Sequence, residues 1–278
     1  MSLIEKLQRH TPPNQIIYTD LGGMVLYGAD YPAENLTYMQ SAGIYFSLQG
    51  RKILRGGNQA YTIGAGEMAV YATSLPIATE VLEASPDKPY LALSLPLDYD
   101  EIERLAVKIR PLPPPNEQKT APIPTALFNS LERLIDLLDS PNHQQVLFPL
   151  LQTEIYFYLL QSNLGGSLHR HFQRGQSLHR IGQAVNFLQQ HFAEHLEMEN
   201  LAAQMGMSGS NFYRRFREIT GLSPLQYQKN LRLLAARKLV KQRQLGITAV
   251  AYEVGYESPS QFSREYKQFF GISPKADG

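Results

Sequence analysis

The sequence contains no cysteine among its 278 residues. This absence excludes disulfide bonds, zinc held by thiolates and a cysteine nucleophile. The chain also lacks any apolar run near the roughly 18 residues of a membrane span. Its first residues, MSLIEKLQRH, lack the apolar centre of a secretory signal. We therefore expect a cytoplasmic protein with no membrane among its partners.

Motifs that mark catalysis are absent as well. The sequence has no Gly-rich phosphate loop, no nucleophile elbow and no Ser-His-Asp order. His191 and His195 are four residues apart, a spacing that places two metal ligands on one face of a helix. Phe192, however, stands where the zincin pattern has glutamate. We predict no catalytic residue, no bound metal and no cofactor.

Charge is distributed unevenly along the chain. Residues 1–175 contain 13 Lys and Arg against 17 Asp and Glu, a net charge of −4, and residues 176–278 contain 13 against 8, a net charge of +5. From Asn200 onward the count is 12 against 5, or +7. This asymmetry is typical of a C-terminal module that binds an anion, although a solvated basic surface explains the charge alone equally well.

A segment near the C-terminus occurs twice. LAAQMGMSGSNFYRRFREITGLSP, residues 201–224, returns as VAYEVGYESPSQFSREYKQFFGISP, residues 250–274. The shift is 49 positions at the central glycines, Gly206 and Gly255, and 50 positions after one inserted residue. Each copy has a short apolar helix, a Gly-centred turn and a second helix with basic residues, the outline of a helix-turn-helix. A solenoid needs about three or more repeats, so we favour the helix-turn-helix.

The second helix of each copy is the predicted DNA-reading element. Gly206 permits the tight turn, and Ser208 and Ser258 are predicted to cap the helices through their hydroxyls. The core-facing residues are Phe212, Phe216 and Ile219 in the first copy, and Phe262, Tyr266 and Phe269 in the second. The other faces carry small, polar or basic side chains, as a helix that enters a major groove requires. These candidate DNA-binding residues are Gly209, Ser210, Asn211, Tyr213, Arg214 and Arg217, and Pro259, Ser260, Gln261, Ser263 and Arg264.

One long helix, Leu225 to Lys241, is predicted between the copies. Its apolar side carries Tyr227, Leu231, Leu234 and Leu239, and its other faces are decorated by Lys229, Arg232, Arg237, Lys238 and Lys241. At ~1.5 Å per residue it spans about 25 Å. A rigid connector of this length holds the two motifs near the ~34 Å repeat of successive major grooves.

The N-terminal region reads as β structure followed by helices. About eight short runs rich in Val, Ile, Leu and Tyr, within residues 16–98, favour a barrel or sandwich. A helix is predicted from Tyr99 to the start of Pro111–Pro115, which cannot continue it, and a mobile connector extends to Pro124. Two amphipathic helices follow, Thr125 to Leu138 and Gln145 to Gln161.

These elements predict an α+β multidomain chain. Residues 1–163 form the first domain, with the barrel at about 16–98 and helices at about 99–163. Residues 164–178 are predicted to be a linker that begins with Gly165-Gly166-Ser167. Residues 179–278 form the helix-turn-helix domain, which opens with a helix from Ile181 to Phe192.

Four stretches of the C-terminal region carry a family resemblance. They are LAAQMGMS, NFYRRFREITGLSPLQYQKNLRLLAARKLV, ITAVAYEVGYES and QFSREYKQFFGISPKA. Through them, residues 181–275 resemble the DNA-binding domain of AraC/XylS-type bacterial transcription regulators. The resemblance implies a seven-helix domain with two helix-turn-helix units, double-stranded DNA as a partner, and RNA polymerase as a partner if the protein is an activator.

Carried over position by position, the resemblance also implies base-reading residues. They are Gly209, Ser210, Tyr213 and Arg214 in the first copy, and Ser260, Gln261, Ser263 and Arg264 in the second. Gly209 and Ser210 are small where the family often has larger side chains. Direct readout by the first helix is therefore expected to rest on Tyr213 and Arg214.

The N-terminal region resembles the regulatory domain of one branch of the same family. The matching stretches are GIYFSLQGRKILRGGNQAYTIGAGEMAVYATSLP and EVLEASPDKPYLALSLPLD, and they imply a cupin-like β-barrel followed by helices. His10 is the only histidine before residue 143, which disfavours a metal-binding cupin enzyme. Candidates to line a pocket for a small-molecule effector are Tyr45, Tyr61, Tyr71 and Tyr90, although such aromatics are also typical of a plain barrel core.

A homodimer is expected through the helices within residues 125–162. Two apolar stripes on these helices provide more apolar surface than is needed to cover one side of the barrel. They consist of Leu127, Leu131, Leu134, Ile135 and Leu138, and of Leu151, Ile155, Tyr158 and Leu159. The alternative is that both helices only cover the barrel of their own subunit.

Two hypotheses for the function follow. The leading one is a sequence-specific DNA-binding transcription regulator modulated by a small-molecule effector or partner at the N-terminal domain. The alternative is a cupin-like sugar-binding or catalytic module fused to a helical domain. The duplicated recognition helix and the positive C-terminal charge favour the first.

Overall fold

The structure is a computed structural model that describes residues 2–56, 59–109, 111–116, 118–173 and 175–278. Side chains are described except at residues 35, 56, 59, 170–173 and 175–178. The predicted α+β organisation is confirmed, because an antiparallel β domain is followed by helices and then by a helical domain.

The β domain consists of short strands. They are β1 (Ile16–Tyr18), β2 (Val25–Ala29), β3 (Ala33–Gln40), β4 (Gly43–Gln49), β5 (Arg51–Gly56), β6 (Gln59–Gly64), β7 (Glu67–Tyr71), β8 (Leu75–Glu83), β9 (Tyr90–Leu95) and β10 (Thr120–Pro122). Among the described residues they form two antiparallel sheets with the orders β1-β2-β9-β4-β7-β10 and β3-β8-β5-β6. The cupin-like classification of this domain stays a prediction.

The central strands β4 and β9 of the first sheet are buried on both faces, which explains their nearly continuous apolar sequences. Side chains alternate along a strand, so Tyr45 of β4 packs between the sheets with Leu54 and Ile77. Its neighbour Phe46 points to the opposite face, where it belongs to the same core cluster as Ile155. The helices that follow the β domain therefore cover the outer face of this sheet.

The helices of the N-terminal half are α1 (Leu3–His10), α2 (Tyr99–Lys108), α3 (Thr125–Asp136) and α4 (Pro141–Gln161). Helix α1 was not expected from the sequence; the Ser2 hydroxyl and the Glu5 side chain form a capping box at its start. Helix α4 starts at Pro141, four residues before the predicted start, because proline suits the first helical position.

The sequence also missed two strands. β3 has no clean polar–apolar alternation, and its register is set by pairing with β8, as in Thr37 opposite Ala78. β10 lies in the segment that we predicted as a mobile connector, and Thr120–Pro122 pair with β7. The connector prediction is wrong for these residues, since Ala121 is buried in the core.

The predicted linker, residues 164–178, is helical from Gly165 onward where it is described. It comprises α5 (Gly165–Gln173) and the start of α6 (Gly175–Gln190). Leu164 and Leu168 are four residues apart and both are buried in the core that includes α3 and α4, and the Ser167 hydroxyl donates a hydrogen bond to the carbonyl oxygen of Asn116 at 2.6 Å. The domain limits themselves stay predictions.

The helix-turn-helix domain continues with α7 (Met198–Gln204), α8 (Gly209–Thr220), α9 (Pro224–Gln242), α10 (Ile247–Glu253), α11 (Pro259–Phe270) and α12 (Pro274–Asp277). With α6, these are the seven helices that the resemblance implies. The domain has two separate cores, one around Phe212 and Phe216 and one around Phe262 and Tyr266.

The two domains are in contact. The Tyr227 hydroxyl on α9 donates a hydrogen bond to the Ser74 carbonyl oxygen at 2.8 Å, and the Arg237 guanidinium donates one to the Thr37 hydroxyl at 3.1 Å. Ile219 of α8 packs against both the N-terminal core and the first core of the helix-turn-helix domain. Helix α9 therefore touches the β domain as well as both helix-turn-helix units.

Candidate DNA-binding surface

Both helix-turn-helix units turn at a glycine in the left-handed region. Gly206 has φ +63° and Gly255 has φ +86°, which confirms the predicted Gly-centred turns. A Cβ atom on Gly255 would lie 2.0 Å from the carbonyl oxygen of Ala193. The second turn therefore needs glycine for its conformation and for the close approach of the backbone.

The starts of α8 and α11 differ in their capping. The Ser258 hydroxyl accepts a hydrogen bond from the backbone N–H of Gln261 at 3.3 Å, and Pro259 occupies the first helical position, as predicted. Ser208 is also the N-cap residue, but its hydroxyl accepts no hydrogen bond there. The predicted hydroxyl cap is wrong for Ser208, whose backbone carbonyl instead accepts the first helical bond, from Phe212.

The inward faces are mostly as predicted. Phe212 and Phe216 are fully buried in the first unit, and Phe262 and Tyr266 in the second. The prediction for Phe269 is wrong, because Phe270 is the buried residue and Phe269 is only partly covered. The reason is the last turn of α11, where the Phe270 ring packs 4.5 Å from the Tyr266 ring, centroid to centroid.

The first half of each recognition helix presents most of the candidate residues. Ser210 and Arg214 of α8 are exposed, as are Ser260, Gln261 and Arg264 of α11. The remaining candidates in these halves are half-buried: Gly209, Asn211, Tyr213, Pro259 and Ser263. The structure thus gathers small, hydrogen-bonding and basic groups at the helix N-termini, which is where a recognition helix contacts base edges.

The two equivalent arginines have different surroundings. The Arg214 guanidinium donates to the Asn211 side chain at 2.8 Å and pairs with Glu218 at 3.0 Å. Arg264 has no hydrogen bond or ion pair with any described residue. The Arg264 guanidinium is therefore unpaired among the described residues, whereas Arg214 already has internal partners.

Arg217 lies apart from the other candidates. It is on the C-terminal half of α8 and lines a cavity of about 250 Å³ between this helix and the β domain. Tyr61 and Tyr71 line the same cavity, which we call the interdomain cavity. The predicted contact of Arg217 with DNA stays a prediction.

Helix α9 is the predicted connector, with bounds extended by one residue at each end. Its Leu231 is buried in the first core, whereas Leu233 and Val240 are buried in the second. Of the predicted apolar side, Leu234 and Leu239 are only partly buried. Because one rigid helix contributes to both cores, it fixes the separation of the two units.

Several basic residues of α9 are used inside the domain. Arg232 donates to the carbonyl oxygens of Phe192 at 2.7 Å and Glu194 at 2.8 Å. Arg237 and Lys241 pair with Asp277 at 2.8 and 2.7 Å. The expectation that these residues decorate the outer faces of the helix holds for Lys241, whose side chain is 55% exposed. It is wrong for Arg232 and Arg237, which are half-buried, because their partners come from distant segments that sequence spacing does not reveal.

The candidate effector residues divide between two places. The Tyr45 and Tyr90 hydroxyls share a hydrogen bond of 2.6 Å, and the Tyr61 hydroxyl donates to Tyr71 at 2.8 Å. Tyr61 and Tyr71 line the interdomain cavity, whereas Tyr90 lines a second cavity of about 470 Å³. Tyr45 packs beside this second cavity in the core between the sheets.

Sequence reasoning missed the lysine in this second cavity, which we call the Lys52 cavity. Lys52 is only 3% exposed and donates a hydrogen bond to the Tyr38 hydroxyl at 3.1 Å. Burial lowers the pKa of Lys52 to about 7. The sequence signal that could have revealed this burial is the strand alternation in KILRG, which places Lys52 on the same face of β5 as the buried Leu54.

His191 and His195 do not lie on one helix as expected, because α6 ends at Gln190 and both histidines follow it. His191 Nδ1 lies 2.8 Å from Glu194, and His195 Nε2 lies 3.3 Å from Glu197. The described residues contain no group of three or more His, Asp or Glu that could hold a metal ion.

In the described part of the chain, no helix is long and apolar enough to cross a membrane.

Comparison with known proteins agrees with this architecture. Residues 20–167 match the AraC-type transcriptional regulator N-terminus, and residues 201–277 match a helix-turn-helix domain. The first match alone covers more than half of the chain. The chain belongs to the AraC-type transcriptional regulators.

Two relatives show how far the similarity to individual regulators extends. The HTH-type transcriptional activator RhaS of Salmonella schwarzengrund (strain CVM19633) is 32% identical over 96 residues, 34% of each chain. RhaS of Escherichia coli (strain SE11) is 28% identical over 138 residues, 50% of this chain and 46% of the relative. The chain thus matches between a third and a half of the length of these AraC-type activators.

A solved structure matches over nearly the whole chain. The 1.65 Å structure of ToxT from Vibrio cholerae has a TM-score of 0.51 at 13% identity, and the match covers 90% of this chain and 95% of ToxT. At this identity the likeness concerns the fold. It supports the arrangement of an N-terminal β domain and a C-terminal helix-turn-helix domain in one AraC-type chain.

Proposed function

We propose that the protein is a sequence-specific DNA-binding transcription regulator. The observation that carries this proposal is the pair of helix-turn-helix units joined by α9, which belongs to both cores. Each unit exposes hydrogen-bonding or basic side chains at the start of its second helix. Helix α9 has 19 residues and spans about 28 Å, a separation suited to successive major grooves ~34 Å apart.

The two recognition helices have different roles in this proposal. In α11, Gln261 and Arg264 supply the base contacts, with Ser260 and Ser263 beside them. In α8, the small residues Gly209 and Ser210 provide space but no base contacts. Tyr213 and Arg214 therefore read the bases. Asn211, Arg217 and Pro259 position the helices or contact the sugar-phosphate backbone, which fixes the register without reading sequence.

The N-terminal half is proposed to regulate and dimerise the protein. An effector in the β domain acts by favouring one arrangement of the DNA-binding units, and a homodimer engages paired half-sites. RNA polymerase is a further partner if the protein is an activator, and the cytoplasm is the compartment where it meets DNA. RhaS, a relative, is itself called a transcriptional activator.

The test is DNA retardation with the full-length chain. Fragments selected from random DNA are bound at low salt, and the affinity is remeasured as the salt concentration rises. We expect specific binding that weakens by about 10³-fold or more between 50 and 200 mM salt, because phosphate contacts release counterions. Absence of binding at low salt would refute the proposal, and so would equal affinity for selected and scrambled DNA.

A further inference from the structure

Glu265 is a carboxylate on the second recognition helix, α11, that the proposed function does not use. It lies four residues after Gln261, and residues at this spacing share one face of a helix. Its Oε1 accepts a hydrogen bond from the Gln261 side-chain amide at 3.1 Å, and its Oε2 accepts one from the Tyr256 hydroxyl at 2.9 Å. Both oxygens of the carboxylate therefore have a partner within the second helix-turn-helix unit.

Tyr256 holds this carboxylate in place. The residue is 6% exposed, and its ring packs edge-to-face on the Phe262 ring with 5.3 Å between the centroids. Burial and the adjacent Glu265 carboxylate raise the pKa of Tyr256, so its hydroxyl stays protonated and donates. Lys229 of α9 adds a cation 4.0 Å from the same oxygen, and the Glu265 side chain is only 19% exposed. Glu265 is thus anchored by the core of its own unit.

The carboxylate fixes which end of the Gln261 amide faces it. An ionised carboxylate only accepts hydrogen bonds, so the NH2 group of the amide lies towards Glu265. The amide oxygen and the second N–H have no hydrogen bond to a described residue, and Gln261 is exposed in the first turn of α11. One acceptor beside one donor matches adenine, whose N6 donates and whose N7 accepts in the major groove. Guanine presents two acceptors there, N7 and O6, and suits an amide with two free donors.

The first recognition helix has no such arrangement. A basic residue, Arg215, occupies the position equivalent to Glu265. Asn211 is equivalent to Gln261, and its amide oxygen accepts a hydrogen bond from Arg214 at 2.8 Å. A guanidinium only donates, so the NH2 group of Asn211 is the end left for other partners. Neighbours of opposite charge therefore orient the two equivalent amides in opposite senses.

We propose that Glu265 is a positioning residue that makes α11 select adenine through Gln261. The Tyr256–Glu265 pair holds the Gln261 NH2 group, so the amide presents its oxygen to adenine N6 and its second N–H to adenine N7. Glu265 does not contact the base, because both of its oxygens are engaged inside the unit. This role rests on the proposed function, because it names the base that the helix reads in DNA.

Selection of binding sites from random DNA by the full-length protein tests this role. Gln261→Ala first identifies the base that Gln261 reads, as the position at which the preference is lost. We expect this base to be adenine and its preference to fall by about tenfold, as for one bidentate contact. Another base at that position, or no affected position, would overturn the proposal.

Glu265→Gln is the decisive variant because it keeps the size of the side chain and removes its charge. A neutral amide donates as well as accepts, so the Gln261 amide is free to turn and present two donors. We expect the adenine preference at the same position to fall by about threefold or more, with guanine gaining what adenine loses. An unchanged preference would contradict the proposal. A loss spread over all positions would also contradict it, because that result indicates a structural role.

Glu253→Gln is the matched control, since it removes the same charge from an exposed carboxylate of α10 in the same unit. It should leave every base preference unchanged, and an effect equal to that of Glu265→Gln would overturn the proposal by reducing it to net charge.

The double variant Gln261→Ala/Glu265→Gln separates positioning from direct contact. It should have the same preference at the tested position as Gln261→Ala alone, because a positioning residue acts only through its partner. A further loss in the double variant would assign Glu265 a base contact of its own, such as one with cytosine N4, and would contradict the proposal.

Tyr256→Phe is a second variant, in case Glu265→Gln does not fold. It keeps the ring in the core and removes only the hydroxyl that anchors Glu265. The adenine preference at the same position should relax towards guanine, with the other positions unchanged. A preference as strong as that of the unmodified protein would contradict the proposed anchoring of Glu265.

The outcomes also distinguish this role from the proposed function. Specific binding with preferences that Glu265→Gln and Tyr256→Phe leave unchanged would refute the role of Glu265 alone. Failure of the unmodified protein to select any sequence would refute the proposed function.

Discussion

At the residue scale, Arg214 and Arg264 occupy equivalent positions with unequal freedom. Each lies two positions after a buried phenylalanine, on the outer face of its recognition helix. Arg214 pairs with Glu218 of the same helix, an exposed pair that contributes little stability. The fold therefore does not depend on either guanidinium, and both remain candidates for base readout.

We predict that Arg264→Ala weakens specific DNA binding by about 1–3 kcal/mol, the discrimination of one arginine–guanine contact. The melting temperature should stay nearly unchanged, because Arg264 has no partner among the described residues. Arg214→Ala should act in the same direction. Retardation and thermal unfolding measure the two effects.

Lys267→Ala is the control on the same helix as Arg264. Lys267 is exposed near the C-terminal end of α11, so its loss should leave the preference for selected over scrambled DNA unchanged. A large fall in melting temperature for Arg264→Ala would indicate a structural role and argue against base readout.

Lys52 gives a pH-dependent stability whose sign follows from its pKa. The pKa is about 7 in the folded chain and 10.5 without the fold. Between these values the unfolded chain binds more protons, so the Lys52 contribution to the free energy of unfolding rises with pH, by at most about 1.4 kcal/mol per unit. Denaturant titrations at pH 7, 8 and 9 should show the rise in the unmodified protein and in Lys88→Met, a control at an exposed lysine of the same domain. They should show a smaller rise in Lys52→Met, and an equal slope in all three proteins would mean that folding does not lower the pKa of Lys52.

At the element scale, the two glycine turns differ in what they tolerate. Gly255 has φ +86° and no room for a Cβ atom, which would meet the Ala193 carbonyl oxygen. Gly271, after α11, has φ +76° with nothing within 4 Å of such an atom. One position therefore combines conformational strain with a clash, and the other has strain alone.

Gly255→Ala should destabilise the chain by more than Gly271→Ala, for which about 1–2 kcal/mol is expected from the left-handed backbone alone. The clash at Gly255 adds to this because the backbone of the Ala193 segment must move. Urea unfolding of both variants measures the difference. Similar losses of unfolding free energy in both variants would show that the backbone of the Ala193 segment moves at little cost.

Helices α3 and α4 show how an apolar pattern was over-interpreted. The stripe Leu127, Leu131, Leu134 and Ile135 is fully buried, and so are Ile155 and Leu159. These residues cover the first sheet of their own chain, so they do not supply a dimer interface. Exposed apolar side chains remain in the first half of α4, where Val146, Leu147 and Leu150 are 67%, 41% and 63% exposed.

At the scale of the whole molecule, these three residues are the proposed centre of the homodimer. Leu150→Glu places a charge within the patch, and burying an unpaired charge is unfavourable. We predict that the unmodified chain sediments as a dimer and that Leu150→Glu shifts it towards monomer. Leu82→Glu, at a 37% exposed leucine of β8, should leave the dimer intact. A strict monomer of the unmodified chain at high micromolar concentration would refute the homodimer.

The domains are linked through α9, and this linkage was not evident in the sequence. Tyr227 and Arg237 were assigned by helical spacing to the apolar and the solvated side of a connector. In the structure both contact the β domain, Tyr227 at Ser74 and Arg237 at Thr37. These partners are 153 and 200 residues away in the sequence. The contacts depend on how the two domains pack, and local periodicity does not encode that packing.

The sequence by itself determined the elements whose signals are local. The duplicated register specified both helix-turn-helix units, because the left-handed glycines, the helix start at Pro259 and the i, i+4 aromatic pairs act within one or two turns of chain. It also specified most strands through apolar runs between turn residues. Strand β10, the helical conformation of residues 165–173 and the burial of Lys52 were decided only by the tertiary structure. Each depends on contacts with distant segments: pairing with β7, packing against α4, and enclosure by tyrosines from four other strands.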